Sequence, residues 1–461
     1  MMKDKVNYYT DGFSGLLKGA VELDNQHHVA EMTIAGNKIT LRILDFNCEV
    51  KRNYMDMLAL KKVIFSSDLD YFLLFGLELN GSMHMRLGGN GRFNDYSYSV
   101  QGFLKSKSHL NENISFSRIS VFGEGLKKWS GCTRRLERII GAGLMNQLPD
   151  DDDCTEFEKN IKGLGRIGLY YSFKLGGLSG LHTVGLSVKP NFSITFENGI
   201  DLDDLIKHYV DLYMILRFLI GGSIDIDEVK VYSSSHLFRD GADFYFAEKK
   251  NSGNRSEMGF FIPYSTPFHD DSENEFPTLI WDSYFNCNND NTREMIKKYV
   301  SYTMVNNSEE KFLGFYRVLE QMTLEKSSYV DEKKLEDFLR ENKSNFKKSF
   351  PDASISDFFR AIKRANKAKN NTESCIHHFI SGFSESIIMQ LGLKKIPINE
   401  ICTSRNRIIH QPLFQESDER VFRFMKITEG LVVLAILKNL CISIEKIERI
   451  ALYNGLQHAF S

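Results

Sequence analysis

The rhythm of apolar residues changes near residue 290, and no other feature limits the fold as much. From about residue 38 to 121, apolar and polar residues alternate with the two-residue period of strands, as in 39–44, 71–79, 83–87, 96–104 and 114–121. Turn residues such as the Gly88, Gly89, Asn90, Gly91 cluster divide them. Many short strands with glycine-rich turns imply a sandwich or barrel-like module, and 122–131, which holds Trp129, reads as a short helix closing it. The acidic run Asp150 to Asp153 after Pro149 reads as a solvated linker. Strands resume over 166–196 and lead into an amphipathic helix at 202–220, whose Leu205, Tyr209, Leu212, Ile215, Leu216 and Leu219 fall at helical spacing. Strands at 229–232, 244–247 and 259–262 complete a second strand-rich module before an aromatic segment near Trp281.

Beyond about Asn291 strand-like alternation stops. Segments 294–305, 309–326, 331–341, 356–368, 373–391, 399–410 and 418–452 all carry helical periodicity. Ser308, Ser356 and Asp418 stand where N-caps are expected, and Pro351, Pro397 and Pro412 fall between helices, where proline interrupts nothing. At 461 residues the chain exceeds what one core ordinarily fills. The expected fold class is α+β and multidomain: a strand-rich module over 1–150, a second with one amphipathic helix over 151–288, and an all-α bundle over 289–461.

Charge follows a similar division. Residues 290–461 hold 27 Lys and Arg against 22 Asp and Glu, a net of +5, whereas 1–289 hold 31 against 38, a net of −7. On charge alone this reads as ordinary variation between domains, and any contact with a polyanion would belong to the C-terminal part. Seven scattered cysteines without a CxxC pair signal neither a zinc knuckle nor a disulfide framework, which fits reduced thiols in a cytoplasmic protein. Met1 to Leu16 lacks a positive start followed by an apolar run, and the longest apolar run, 431–437, is short for a membrane span. Neither secretion nor membrane contact is expected.

Within the bundle, Arg405, Asn406, Arg407, Ile408, Ile409 and His410 place fixed cations, an amide and an imidazole within two helical turns. Asn406 and His410 are four apart and share a face, where the amide can orient the imidazole. Arg405 lies about 140° round the axis from His410. Its long side chain can swing towards His410 if the helix ends there, and Pro412 disfavours a helical Gln411. Ile408 and Ile409 are expected to anchor the segment in the core, leaving Arg407 to face phosphate. This set suits cleavage of RNA by its own 2′-hydroxyl: His410 moves a proton, Arg405 stabilises the phosphorane, and the chemistry calls for no metal. One motif supplies too few groups for both proton transfers, and a symmetric dimer would supply the rest. Arg-x4-His alone is expected by chance roughly 0.6 times in such a chain, but Asn directly after the Arg lowers this to about 0.04.

Arg405, Asn406 and His410 resemble the Arg-polar-x3-His motif of HEPN-domain proteins, a helical-bundle superfamily rich in ribonucleases. The segment 418–452 stands where that family places its last helix. The strand-rich front is similar to ApeA-like abortive-infection proteins, with Trp129 after Leu126 and with 188–196 running into the helix at 202–220. Those proteins join such a region to a C-terminal HEPN domain. The resemblance is specific in the last third of the chain and diffuse over the first 285 residues. It implies a metal-independent, cofactor-free, homodimeric endoribonuclease of anti-phage defence, with tRNA a candidate substrate. The N-terminal region would sense a phage-derived trigger or restrain activity.

A second basic tract, 343–369, holds eight Lys and Arg against Asp352 and Asp357. Ile355, Phe358, Phe359 and Ile362 form its apolar stripe, and Arg360, Lys363, Arg364 and Lys367 read as a track for RNA phosphates or as a plain solvated face. His377 and His378 point about 100° apart and cannot ligate one metal as a helical pair. The acidic loop Asp270, Asp271, Glu273, Glu275 lacks ordered ligand spacing. Glu156, Glu158 and Lys159 fail the PD-(D/E)xK nuclease pattern, because Phe157 stands two before Lys159. The rival readings are a non-catalytic HEPN-type dimerising module whose N-terminal region binds a ligand or protein, and a metal-dependent nuclease.

Overall fold

A computed structural model describes residues 15–23, 26–35, 38–46, 54–68, 70–86, 92–110, 114–144, 154–175, 186–222, 224, 226–233, 241–246, 278–286, 290–324, 330–351, 354–366, 371–411 and 416–460. The chain divides into two units, Met1–Asn289 and Asp290–Ser461. The first contains strands β1 (Gly15–Leu23), β2 (Gln26–Ala35), β3 (Lys38–Asp45), β4 (Lys62–Ser66), β5 (Tyr71–Arg86), β6 (Arg92–Ser106), β7 (Phe116–Gly123), β8 (Thr155–Ile161), β9 (Gly165–Leu175), β10 (Leu186–Ile200), β11 (Ile226–Ser233) and β12 (Ala242–Phe246). Its helices are α1 (Tyr54–Ala59), α2 (Glu124–Ser130), α3 (Arg134–Leu144), α4 (Leu202–Ile220) and α5 (Leu279–Phe285).

All the strands join one antiparallel sheet in the order β3-β2-β1-β4-β5-β6-β12-β11-β7-β10-β9-β8, with an added β3–β6 pairing. That pairing closes the first six strands into a barrel and removes their free edges. Strand β6 serves two neighbours in turn: residues 94–100 pair with β3, and 102–105 pair with β12. Gly102 sits at this change of partner, where a Cβ would lie 2.3 Å from the Tyr245 carbonyl oxygen. Only glycine admits so close an approach. Strands from both sides of residue 150 thus share one sheet, β7 lying between β10 and β11.

The open half, β12-β11-β7-β10-β9-β8, is covered by helices. Helix α2 packs on β7, β10 and β11, α3 on β10, α4 on β7 and α5 on β8. Trp129, Phe192, Ile194, Leu212, Leu216 and Trp281 fill the core between helices and strands. Helix α4 matches its expected limits, capped by Asp201, which accepts from the Asp204 amide, and ended by Gly221 in the left-handed region.

The second unit is helical throughout its described residues: α6 (Asp290–Thr303), α7 (Ser308–Thr323), α8 (Glu332–Ser349), α9 (Ile355–Asn366), α10 (Thr372–Ser381), α11 (Glu385–Gln390), α12 (Ile398–His410), α13 (Asp418–Asn439), α14 (Ile444–Tyr453) and α15 (Gln457–Phe460). Helix α13 is the centre, buried continuously from Ile427 to Leu437 and packed on α6, α7, α14 and α15. The layout is α+β: a strand-rich front with a barrel, then a helical bundle.

Two segments expected as single helices are each broken in two. The run 373–391 stops at Gly382 and restarts from Ser384, whose hydroxyl accepts from the Ile387 amide. The run 418–452 breaks where Cys441 takes a φ of 58°, and Ser443 caps the restart. A capping serine offers the next helix a separate start, so apolar periodicity continues although the axis does not. The caps of α7 and α13 are Asn307 and Ser417, each one residue before the expected Ser308 and Asp418. The expected strand at 259–262 and the loop at Asp270 to Glu275 lie outside the described residues. No helix among the described residues is long and apolar enough to cross a membrane.

Candidate active site

Helix α12 carries the Arg405, Asn406 and His410 constellation. It is seated by Ile398, Ile401 and Ser404, its buried residues. The Ser404 hydroxyl donates to Glu416, and Arg420 on α13 reaches Glu400 at 2.9 Å. These contacts pin α12 to the start of α13. The helix ends at His410, and Gln411 closes it by donating its amide to the Arg407 carbonyl at 2.8 Å. The end therefore falls where the proline at 412 requires it.

Arg405 is only 22% exposed in its side chain, and three neighbours hold it. Its Nη1 donates to Asn406 Oδ1 at 2.9 Å. Its Nη2 lies 3.8 Å from Glu320 Oε2, and its guanidinium carbon stands 5.2 Å from the centre of the Tyr316 ring. Its Nε is buried without a hydrogen-bond partner among the described residues. Glu320 in turn accepts from the Thr372 hydroxyl at 3.1 Å, so α7 and α10 jointly fix the carboxylate that faces the guanidinium. Burial raises the Tyr316 phenol, so it stays protonated and donates to Cys402 Sγ at 3.3 Å.

Cys402 is also half-buried, and burial raises its thiol pKa against the smaller opposing effect of the Tyr316 hydrogen bond. A raised pKa leaves less thiolate at neutral pH, and thiolate is the reactive form. Iodoacetamide is therefore expected to alkylate Cys402 at least about tenfold more slowly than the exposed Cys441, as followed by peptide mass spectrometry. Equal rates would contradict the burial argument.

His410 is exposed on the last turn, and its side chain makes no hydrogen bond or ion pair with another described residue. The Asn406 oxygen is engaged by Arg405 rather than by His410. Ile409 does not anchor the core as expected: it is 38% exposed, and Ile408 is half-buried. The reason is helical phase, since Ile398, Ile401 and Ser404 set the buried face and Ile409 turns away from it. Arg407 is exposed.

The basic tract lies on α8 and α9. Arg360 pairs with Asp357 at 3.2 Å, Lys363 pairs with Glu336, Arg364 is exposed, and Lys367 lies outside the described residues. His377 and His378 are both surface residues on α10. Glu156, Glu158 and Lys159 make structural contacts on β8: with Thr133 and Tyr171, with Tyr170 and Arg166, and with Asp282. No group of three or more His, Cys, Asp or Glu side chains among the described residues is placed to hold a metal ion. Tyr316 and Glu320 were missed in the sequence. Their four-residue spacing on one helix face looks like any amphipathic helix until α12 is placed beside it.

Residues 63–267 match the family model described as ApeA N-terminal domain 1. The matched span begins in β4 and extends past β12, leaving β1–β3, α1, α5 and the bundle outside it. No curated protein and no solved structure matches the chain. Over the matched span the chain is therefore similar to the N-terminal domain 1 of ApeA proteins.

Proposed function

We propose that the chain is a metal-independent endoribonuclease of the HEPN type that acts in anti-phage abortive infection. The observation that carries this reading is Arg405, a guanidinium held by Asn406, Tyr316 and Glu320 on the helix that presents an exposed His410 just over one turn later. The ApeA-like front supports the defence setting.

In the reaction, a histidine takes the proton of the RNA 2′-hydroxyl, whose oxygen attacks the adjacent phosphorus. Arg405 stabilises the charge that builds on the non-bridging oxygens. A second histidine, from His410 of a second copy across a twofold axis, protonates the departing 5′-oxygen. The products are a 2′,3′-cyclic phosphate and a 5′-hydroxyl. The N-terminal unit senses a trigger or restrains the bundle, and tRNA is a candidate target.

One observation favours the rival reading. Glu320 partly neutralises Arg405, as in a purely structural arginine, and a non-catalytic dimerising bundle would contain the same pair. Incubation of the purified full chain with bulk RNA in EDTA separates them. Cleavage that persists, leaving 2′,3′-cyclic phosphate ends, is the expected result. Cleavage abolished by EDTA defeats the metal-independent mechanism, and no cleavage in either buffer supports the binding module.

A further inference from the structure

Helices α8 and α9 form a hairpin that buries little besides Leu339, Ile355 and Asn366. Its base is tied by Asn366, which accepts from the Val330 amide and donates to the Val330 carbonyl, each at 3.0 Å. Between the helices runs an open groove of about 390 Å³, floored by Leu339 and Phe359 and rimmed by Arg340, Lys343, Arg360 and Lys363. Glu336 is the one carboxylate in the lining. Among the described residues, Arg340 and Arg360 are engaged only by exposed carboxylates three residues away on their own helices. Such pairs are weak and yield readily to a phosphate that accepts two guanidinium hydrogen bonds. Lys343 forms no ion pair with a described residue. Beside the groove, Phe346 packs on Phe358 and Phe359 at 5.8 and 5.4 Å, leaving Phe358 47% exposed.

We propose that this groove is a binding site for single-stranded RNA, with backbone phosphates on Arg340, Lys343 and Arg360 and a base on the Phe359 floor. Cations around an aromatic floor match a ligand that carries both negative charge and flat rings, which single strands present and duplexes hide. An acidic peptide offers the charge without the rings. The proposal rests on the nuclease reading for its ligand class, and it locates capture away from the Arg405 and His410 chemistry.

The test uses the full chain and a fluorescent 2′-O-methyl oligouridine of about twelve nucleotides, which cannot be cleaved by 2′-hydroxyl attack. Binding is followed by anisotropy at two salt concentrations. Lys343→Glu is expected to weaken binding about tenfold and to flatten the salt dependence, since one phosphate contact is lost. Phe359→Leu, which keeps an apolar floor but removes the ring, is expected to weaken it about fivefold with the salt dependence unchanged. Both variants should melt as the unaltered protein does. Unchanged affinity in both, or equal displacement by duplex RNA or polyglutamate, would overturn the site. Normal binding to the groove without cleavage of ordinary RNA defeats the nuclease reading alone, and cleavage with indifferent variants defeats the groove alone.

Discussion

The His410→Ala variant should lose RNA cleavage by a factor of about 10² to 10⁴ while its folding stays within about 0.5 kcal/mol of the parent. The two halves of this expectation have separate causes. Proton transfer to or from a reacting oxygen needs a general acid or base, and the imidazole is the side chain of that kind in the constellation. Stability is spared because His410 is exposed on the last helical turn and its side chain makes no hydrogen bond or ion pair with another described residue. Arg405 gives a less clean test. Its contacts with Glu320 and Tyr316 join α12 to α7, so its removal would disturb packing along with chemistry. Rates of end formation on a defined RNA, measured beside thermal melting of both proteins, check the prediction. A variant that cleaves at the full rate with unaltered melting removes His410 from the mechanism, and with it the reason to pair two copies across a shared cleft.

The parts of the fold legible in sequence are those whose burial follows hydropathy. Helix α4 could be bounded correctly because its buried Leu and Ile positions are also its apolar ones, and because Asp201 and Gly221 mark its ends. Strand β2 was illegible for the opposite reason. It buries His28 and leaves Val29 more than half exposed, so the alternation is broken at its start and only Ala30, Met32 and Ile34 are buried in phase with their hydropathy. Strand β1 buries little, and β8 carries charged residues that are paired across to β9 and α5, which a single sequence cannot reveal. Glycines 141 and 143 dilute the pattern of α3. The barrel was visible only as a tendency, because its closure depends on β3 meeting one half of β6, a pairing of residues 49 to 61 apart. In the candidate site, the motif and the end of its helix were readable from Arg405 to Pro412, whereas the partners of Arg405 come from other helices. Apolar anchoring at Ile409 failed because neighbouring residues on a helix face different directions.

Trp281 is the residue whose loss should cost the front unit most: Trp281→Ala is expected to destabilise it by about 3 to 5 kcal/mol. The side chain is fully buried, stacked on Phe157 of β8 at 6.0 Å and tilted against Phe192 of β10 at 4.9 Å. Phe192 also meets Trp129 at 6.5 Å, so removing one ring leaves a void against two further aromatics fixed by sheet and helix. A rigid sheet cannot collapse to fill it, which places the cost at the upper end of large-to-small substitutions. Helix α5 is also held by the buried Ile280 and Tyr284, by the Lys159 ion pair to Asp282 and the Lys159 bond to the Thr278 carbonyl, and by the Tyr284 hydroxyl on the Asp211 carbonyl at 3.0 Å. It also lies beyond residue 267, so a helix outside the family-matched span completes the core of the matched strands. Because a chain of two units need not unfold in one step, hydrogen exchange is the better measurement than a single melt. Amides of β8, β9 and α5 should exchange roughly a hundredfold or more faster in the variant, the ratio that about 3 kcal/mol implies, with those of α13 unchanged. Exchange that stays slow in β8 and β9 would mean that the sheet closes its core without α5.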